Sequence, residues 1–518
     1  MPDHNLYGAL RANFPAALDR IAIETADTAP TLLYTWRDLE RGSAMLANLL
    51  DSLALPPASR VAVQLDKSVE ALMLYLAVLR AGHVYLPLNN AYQASELDYF
   101  IGNAEPAVVV CSPKNFGWVS RIAFVKGTKH VFTLGDDRSG TLLERAAFQS
   151  DVHACVTSHA DDLAAILYTS GTTGRSKGAM LTHGNLLSNA RVLKEAWGWR
   201  EGDVLIHTLP IFHVHGLFVA SHGALINGSK MIWFSRFDPR AVVARLPEAT
   251  VFMGVPTLYV RLLAEAALTP EACAGMRLFV AGSAPLLIET FEAWRERTGH
   301  TILERYGMSE TAMLTSNPYR PESARRGGTV GLPLPGVGLR VNDDKGVPLR
   351  HGEVGGIEVK GPNVFKGYWR MPEKTADEFT TDLWFKTGDV GKIGEDGYVT
   401  IVGRSKDLII SGGYNVYPAE VEGVINELDG VDESAVVGVP HPDFGEAVIA
   451  VVVAKPGAAI DGTQLVAALK GRIANFKVPK QLFIVPALPR NAMGKVQKKE
   501  LRELHQGLFA DVAARAKL

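Results

Sequence analysis

The sequence predicts an α/β protein: a large N-terminal domain of parallel-rich α/β subdomains plus a β-rich subdomain, followed by a small mobile α/β C-terminal domain. Three observations carry this. Short apolar runs alternate with longer amphipathic stretches over much of the first 300 residues. From about Gly327 the chain becomes dense in Gly and Pro, with brief alternating segments. Helix-period and strand segments resume after "GRSKDLIISGG". The boundaries are set at 1–405, with the β-rich part over about 327–405, and at 406–518.

The elements follow in order. "RVAVQLD" reads as a strand, and "SVEALMLYLAVLRAG" has helical spacing with a Gly stop. "AVVVCSP" and "RLFVAGSAP" are apolar on both faces and end in Gly, Ser or Pro, as strands covered by helices on both sides do. "LAAILYT" is a further strand, and "GAMLTHGNLLSNARVLKEAWG" reads as the helix after it, which places the residues between them on a strand-to-helix loop. In the β-rich part "DDKG" is a turn between short strands. In the tail "PAEVEGVINEL" is a helix, and "ESAVVGVP" and "EAVIAVVVA" are strands.

Composition excludes several classes. A chain of 518 residues exceeds one ordinary core. It is 47% hydrophobic and 21% charged, and Lys+Arg 53 against Asp+Glu 55 leaves a net charge of −2. That balance gives no global attraction to nucleic acid or to an anionic membrane, so neither is expected as a partner. Cys111, Cys155 and Cys273 are odd in number, far apart and without metal-site spacing. The N-terminus lacks a basic segment followed by an apolar run, and no 18-residue apolar stretch occurs. A cytoplasmic enzyme is the expected class.

"YTSGTTGRSKG" carries the first chemistry. Gly, Ser and Thr can turn backbone N–H groups and hydroxyls toward anionic oxygens, and Lys177 adds a charge. A Walker loop needs G-x-x-x-x-G-K-[ST], whereas Gly171, Gly174 and Lys177 give G-x-x-G-x-x-K-G. A P-loop kinase is therefore not indicated. With "LPIFHVHGL", "GVPTLYVRLL", "VAGSAPL", "ERYGMSET", "WFKTGDVG", "GRSKDLIISGGYNVYPAEVE" and "PRNAMGKVQKKEL", in that order, the segment resembles the adenylate-forming superfamily of acyl-CoA synthetases, luciferases and peptide synthetase adenylation domains. The resemblance runs from about residue 160 to 500, and the part before it is compatible.

The resemblance implies ATP-dependent activation of a carboxylic acid as an acyl-adenylate, release of pyrophosphate, and transfer of the acyl group to a thiol, with Mg²⁺ as cofactor and ATP and CoA as co-substrates. Thr169, Ser170, Gly171, Thr172, Thr173 and Lys177 would hold the β- and γ-phosphates. Ser283, Ala284, Pro285 and Tyr306 resemble the wall around adenine; Thr311 would touch the α-phosphate, and Glu310 would help hold the metal. Asp389 would accept from the ribose hydroxyls beside Arg404. Lys495, in "NAMGKVQ", matches the lysine needed for adenylation and little needed for thioester formation. Lys406 occupies the hinge position, where many members have Asp, and Gly412 and Gly413 would let the pantetheine arm of CoA pass. A bland reading remains for each residue alone: Asp389 as a turn aspartate, Lys495 as an exposed tail lysine.

The acid pocket should be lined near "HTLPIFHVHGL", "WFSRFDP", "MGVP" and "RYGM". His207, His215 and Arg236 are expected there, with His213 as a gate common to the superfamily and Met308 capping the methylene end. A charged distal group on the substrate needs a cation to replace its hydration, and Arg236 is the expected cation. "IHTLPIFHVHGLF", "RFDP", "LERYGMSETAMLTSNPY", "GPNVFKGYWRMPEKT" and "LPRNAMGKVQKKELR" together are most similar to the malonyl-CoA synthetases, which implies malonate as the acid. Synthetases for another short dicarboxylic, medium-chain or aryl acid, and enzymes that load a carrier protein, stay open as alternatives, as does an inactive scaffold. Zinc at His213-x-His215 lacks a third ligand. Lys495 is also the expected target of a lysine acetyltransferase and deacetylase, since acetylation would remove its charge.

Overall fold

The computed structural model describes residues 3–169, 176–412, 414–441, 444–470, 472–491 and 494–509. They divide into two compact units, Met1–Gly338 with Val359–Phe385, and Leu339–Glu358 with Lys386–Leu518.

Among its described residues the first unit holds two large sheets. One runs in the order Leu332–Pro333, Ala312–Ser316, Leu303–Met308, Leu278–Ala281, Val251–Gly254, Val204–His207, Lys230–Trp233, Ile21–Thr25, Leu33–Thr35. Its strands from Leu303–Met308 to Ile21–Thr25 pair in parallel, and the antiparallel pairs lie toward the two edges, at Leu303–Met308 with Ala312–Ser316, at Ala312–Ser316 with Leu332–Pro333, and at Ile21–Thr25 with Leu33–Thr35. The other runs His130–Thr133, Val108–Cys111, Arg60–Gln64, Val84–Pro87, Leu163–Thr169, Lys177–Thr182. Continuous apolar runs such as "VVVC" and "LFVA" are buried along their whole length, as parallel strands covered on both faces must be. The helix expected at "SVEALMLYLAVLRAG" is Val69–Arg80, capped by Ser68, whose side chain accepts from Ala71 N–H. It stops before Gly82, whose φ of +73° is open to glycine. Every residue of this helix is buried.

One expectation is corrected. The loop after "LAAILYT" does not lead into a helix: Leu163–Thr169 and Lys177–Thr182 form an antiparallel hairpin. The helix begins only at His183, behind a capping box in which Thr182 and Asn185 exchange hydrogen bonds. "KGAMLT" is a short strand with a buried face, and its apolar residues merge with the helical pattern that follows.

The second unit carries most of the sheet Gly338–Asn342, Gly355–Lys360, Phe385–Ile393, Val399–Arg404, and a C-terminal α/β part. There the long hairpin Val431–His441 and Gly445–Ala454 is joined by Ile409–Ser411, Tyr414–Val416 and Gln481–Ile484. Val436, Val448, Ala450 and Val452 enter one core, while Val437, Val439, Ile449 and Val451 enter another. Burial on both faces explains why "EAVIAVVVA" is apolar without alternation. Among the described residues no helix is long and apolar enough to cross a membrane.

The amino ends of three adjacent parallel strands are tied together by one buried ion pair. Arg277 Nε and Nη2 donate to Asp203 Oδ1 and Oδ2 at 2.7 and 2.5 Å, and Thr250 Oγ1 donates to Asp203 Oδ1 at 2.9 Å. Removing one partner leaves a buried charge uncompensated, which costs about 3–5 kcal/mol. Arg277→Met is therefore expected to lower the unfolding midpoint by several degrees in a thermal melt, and Asp203→Leu in the same chain to restore most of the loss.

Candidate active site

The carboxyl ends of the parallel strands in the first unit carry the candidate residues, as this fold class requires. At the hairpin, Thr169 pairs in register with Lys177, and Thr169 Oγ1 donates to the Lys177 carbonyl at 3.4 Å. Ser170, Gly171, Thr172 and Thr173 lie outside the described residues. Lys177 Nζ is 3.1 Å from Glu378 Oε1 and stands 4.3 Å from the centre of the Tyr368 ring. The Tyr368 hydroxyl donates to Glu310 Oε1 at 3.0 Å. The phosphate lysine and the metal carboxylate expected from sequence are thus joined through one phenol. Glu310 and Thr311 are buried in the turn between Leu303–Met308 and Ala312–Ser316, and Thr311 Oγ1 donates to the Ala312 carbonyl.

A second group surrounds Ser283. Ser283 follows strand Leu278–Ala281 with φ +72°, a conformation held by few residues other than glycine, and its hydroxyl lies 3.3 Å from His215 Nδ1. His215 is fully buried, and its Nε2 has no hydrogen-bond partner among the described residues. Burial, reinforced by the charge of Arg305, keeps this imidazole neutral well below its ordinary range. Arg305, on strand Leu303–Met308, is 2% exposed, and its Nε and Nη2 also lack partners. A Cβ on Gly282 would lie 2.7 Å from Arg305 Cζ, so the glycine backbone packs directly on the guanidinium. Burial lowers Arg305 to about 9, which still leaves it charged at neutral pH. Its neighbour Glu304 is raised by burial to about 8, so at neutral pH that carboxyl is mostly protonated and does not neutralise it. Thr208 Oγ1, beside His207, is another buried polar atom without a partner among the described residues.

Unpaired buried donors cost about 1–3 kcal/mol each, so a native fold that keeps several together has a use for them. Ala284, Pro285, Tyr306 and Met308 border the same strand ends and are partly exposed, except Pro285, which is exposed. His213 precedes the irregular helix His215–Ser221 and its Nδ1 accepts from His215 N–H at 3.3 Å.

Two expected acid-pocket residues sit differently. The His207 ring is fully engaged: Nδ1 is 2.9 Å from Lys67 Nζ, and Nε2 is 3.0 Å from both the Gly216 carbonyl and Ser221 Oγ. It builds the wall rather than presenting a nitrogen. Arg236 is exposed; its backbone N–H donates to Asp27 Oδ2 at 3.2 Å, and its charge acts on Asp66. In the second unit, Asp389 and Arg404 are register partners with Arg404 Nε 3.0 Å from Asp389 Oδ1. Lys406 is exposed on the turn Ser405–Asp407. Gly412 has φ +59° and donates to the Phe444 carbonyl, while Gly413 lies outside the described residues. Lys495 is exposed, and its backbone N–H and carbonyl both bond Asn491.

The family model described as AMP-binding enzyme matches residues 14–369, and that described as AMP-binding enzyme C-terminal domain matches residues 420–495. The chain belongs to the AMP-binding enzymes. Among relatives, a Malonate--CoA ligase of Arabidopsis thaliana is 36% identical, covering 86% of this chain and 78% of the relative. A Feruloyl-CoA synthase of Amycolatopsis sp is also 36% identical, covering 90% and 93%. The crystal structure of ATP-bound MatB from Rhodopseudomonas palustris is 53% identical, with a TM-score of 0.95 over 98% of this chain and 100% of that one.

In this AMP-binding enzyme, Arg305, Lys67 and Tyr368 border the candidate site residues and were passed over by sequence reasoning. The signal for Arg305 was present: a charged Glu304–Arg305 doublet interrupts an otherwise apolar strand. The raised carboxyl of Glu304 also sets a pH dependence. Its folded pKa of about 8 exceeds the ordinary carboxylate value, so folding favours the proton. Stability is lost as pH rises from the unfolded value toward 8. Glu304→Gln should flatten the fall in melting temperature between pH 5 and pH 8 relative to the unaltered AMP-binding enzyme, as differential scanning calorimetry would read.

Proposed function

We propose that the chain is a malonate–CoA ligase, converting malonate, ATP and CoA to malonyl-CoA, AMP and pyrophosphate. The observation that carries the choice of acid is Arg305: a buried guanidinium whose Nε and Nη2 are unpaired among the described residues, packed on Gly282 and acting on neutral His215. A dicarboxylate brings a second anion that such a cation can meet, whereas an aryl or aliphatic acid would leave it uncompensated. The malonate–CoA ligases among the relatives support the same reading. The distal carboxylate is assigned to Arg305 rather than to exposed Arg236.

In the first step a malonate carboxylate oxygen attacks the α-phosphorus of ATP, and the bond to the β-phosphate breaks to release pyrophosphate. Thr169 and Lys177 would hold the leaving phosphates, Thr311 the α-phosphate, Ser283, Ala284, Pro285 and Tyr306 the adenine, and Asp389 with Arg404 the ribose. Preorganised charge at these positions supplies most of the rate in such a displacement. The residues fit Mg²⁺: Glu310 is a buried carboxylate, and hard oxygen donors suit that ion. When bound, Mg²⁺ would neutralise charge on the triphosphate.

In the second step the CoA sulfur attacks the acyl carbonyl, the bond to AMP breaks, and the thiol proton leaves to solvent. Lys495 would serve the first step, with Lys406 as the pivot between 1–405 and 406–518, and Gly412 and Gly413 beside the pantetheine arm in the second. Acetylation of Lys495 by a lysine acetyltransferase, reversed by a deacetylase, would regulate the first step alone.

CoA-dependent AMP release across malonate, methylmalonate, succinate, acetate, octanoate and benzoate tests the reading. Malonate should give the highest kcat/KM; a preference for octanoate or benzoate would overturn the assignment of the acid. Lys495→Ala should abolish malonate-dependent pyrophosphate release by about 100-fold or more while sparing malonyl-CoA formation from synthetic malonyl-adenylate.

A further inference from the structure

We infer that Tyr368 is a positioning residue that fixes the metal carboxylate against the phosphate lysine, acting through both its ring and its hydroxyl. The inference rests on the proposal that Lys177 and Glu310 serve the triphosphate and its Mg²⁺, and adds what holds those two groups in register. Tyr368 is 3% exposed. Its ring face lies under Lys177 Nζ at 4.3 Å, and its hydroxyl donates to Glu310 Oε1 at 3.0 Å.

The backbone around Tyr368 bonds to both partners' elements. Met180 N–H donates to Gly367, Lys366 N–H to Met180, and Trp369 N–H to Gly178, so residues 366–369 lie alongside the strand that begins at Lys177. Phe365 N–H donates to the Glu310 carbonyl at 2.8 Å. A segment bonded to both elements sets their separation, and the phenol turns that separation into an orientation of the carboxylate. The phenol O–H donates and the carboxylate oxygen accepts, so the bond has one direction. Partners of this kind, which orient a metal ligand without touching the metal, commonly matter for affinity almost as much as the ligand.

Glu378 completes the arrangement. Its Oε1 is 3.1 Å from Lys177 Nζ and 3.2 Å from Lys374 Nζ. When phosphate oxygens take Lys177, Glu378 keeps Lys374 as a partner, so the exchange leaves no carboxylate unpaired. The Tyr368 ring remains under the ammonium as a platform that needs no counter-ion.

Tyr368→Phe separates this role from simple packing, because Phe fills the core and keeps the ring while deleting the donor. Mn²⁺ binding, followed by electron paramagnetic resonance on the full chain with a non-hydrolysable ATP analogue, should weaken by roughly 10–100-fold. No acid enters this titration, so an error in the assignment of malonate would not disturb it. The KM for Mg²⁺ in pyrophosphate release should rise with the KM for the acid unchanged, and the thioester step from synthetic acyl-adenylate should stay at the wild-type rate. A merely structural tyrosine predicts none of these changes. Mn²⁺ affinity equal to wild type would overturn the inference. Glu310→Gln supplies an independent check: if the phenol acts through that carboxylate, adding Tyr368→Phe should weaken Mn²⁺ no further, and an additive loss would contradict it.

Discussion

A buried cation whose neighbouring carboxyl is mostly protonated is the constraint on which the site depends. Arg305 lies inside the protein with its Nε and Nη2 unpaired among the described residues, beside a Glu304 that is raised to about 8. An arrangement of this kind is expensive in an empty fold and becomes favourable only when an anion arrives. The same physics keeps His215 neutral, since burial and the guanidinium both oppose a second positive charge there. Under the proposed assignment, selection of the acid and polarity of the pocket have one cause.

The fold makes that constraint tolerable. Parallel strands buried on both faces form a stiff platform, and the Arg277–Asp203 pair ties their amino ends, away from the chemistry. The carboxyl ends are left for turns that would be poor structure elsewhere: Ser283 at positive φ, Gly282 packed on a guanidinium, Thr311 buried in a tight turn. At the other edge of the first unit the hairpin at Thr169 and Lys177 is bonded to residues 366–369, which in turn reach Glu310. Charge is handled there in the opposite way. Lys177 has a carboxylate partner, and that partner has a second lysine, so Lys177 can be released by exchange rather than by remaining unpaired.

Much of this was legible in the sequence, and the failures have physical reasons. Helix Val69–Arg80 and strands Val108–Cys111 and Leu278–Ala281 were readable because period and breakers agree. The hairpin at Lys177 was misread because a six-residue strand followed directly by a helix blends two apolar periods, and the capping pair Thr182–Asn185 marks the true start only once the strand is known. Motif order pointed to Lys177, Glu310, Asp389 and Lys495, whose chemistry is local to short signatures. Arg236 and His207 were chosen for residue type, yet the use of a side chain depends on partners distant in sequence: Lys67 is 140 residues from His207. For Arg305 the charged doublet on an apolar strand was a local signal, but its use depends on burial that the doublet alone does not specify.

The central claim is that Arg305 selects the acid through charge. The most direct measurement is the ratio of kcat/KM for malonate to that for its monoamide, an isostere whose distal group is uncharged, in the wild type and in Arg305→Leu. The account predicts a wild-type preference for malonate of ~100-fold or more, falling to about unity in the variant, because Leu removes the buried cation that the second carboxylate must meet. A preference for malonate undiminished in Arg305→Leu would contradict it.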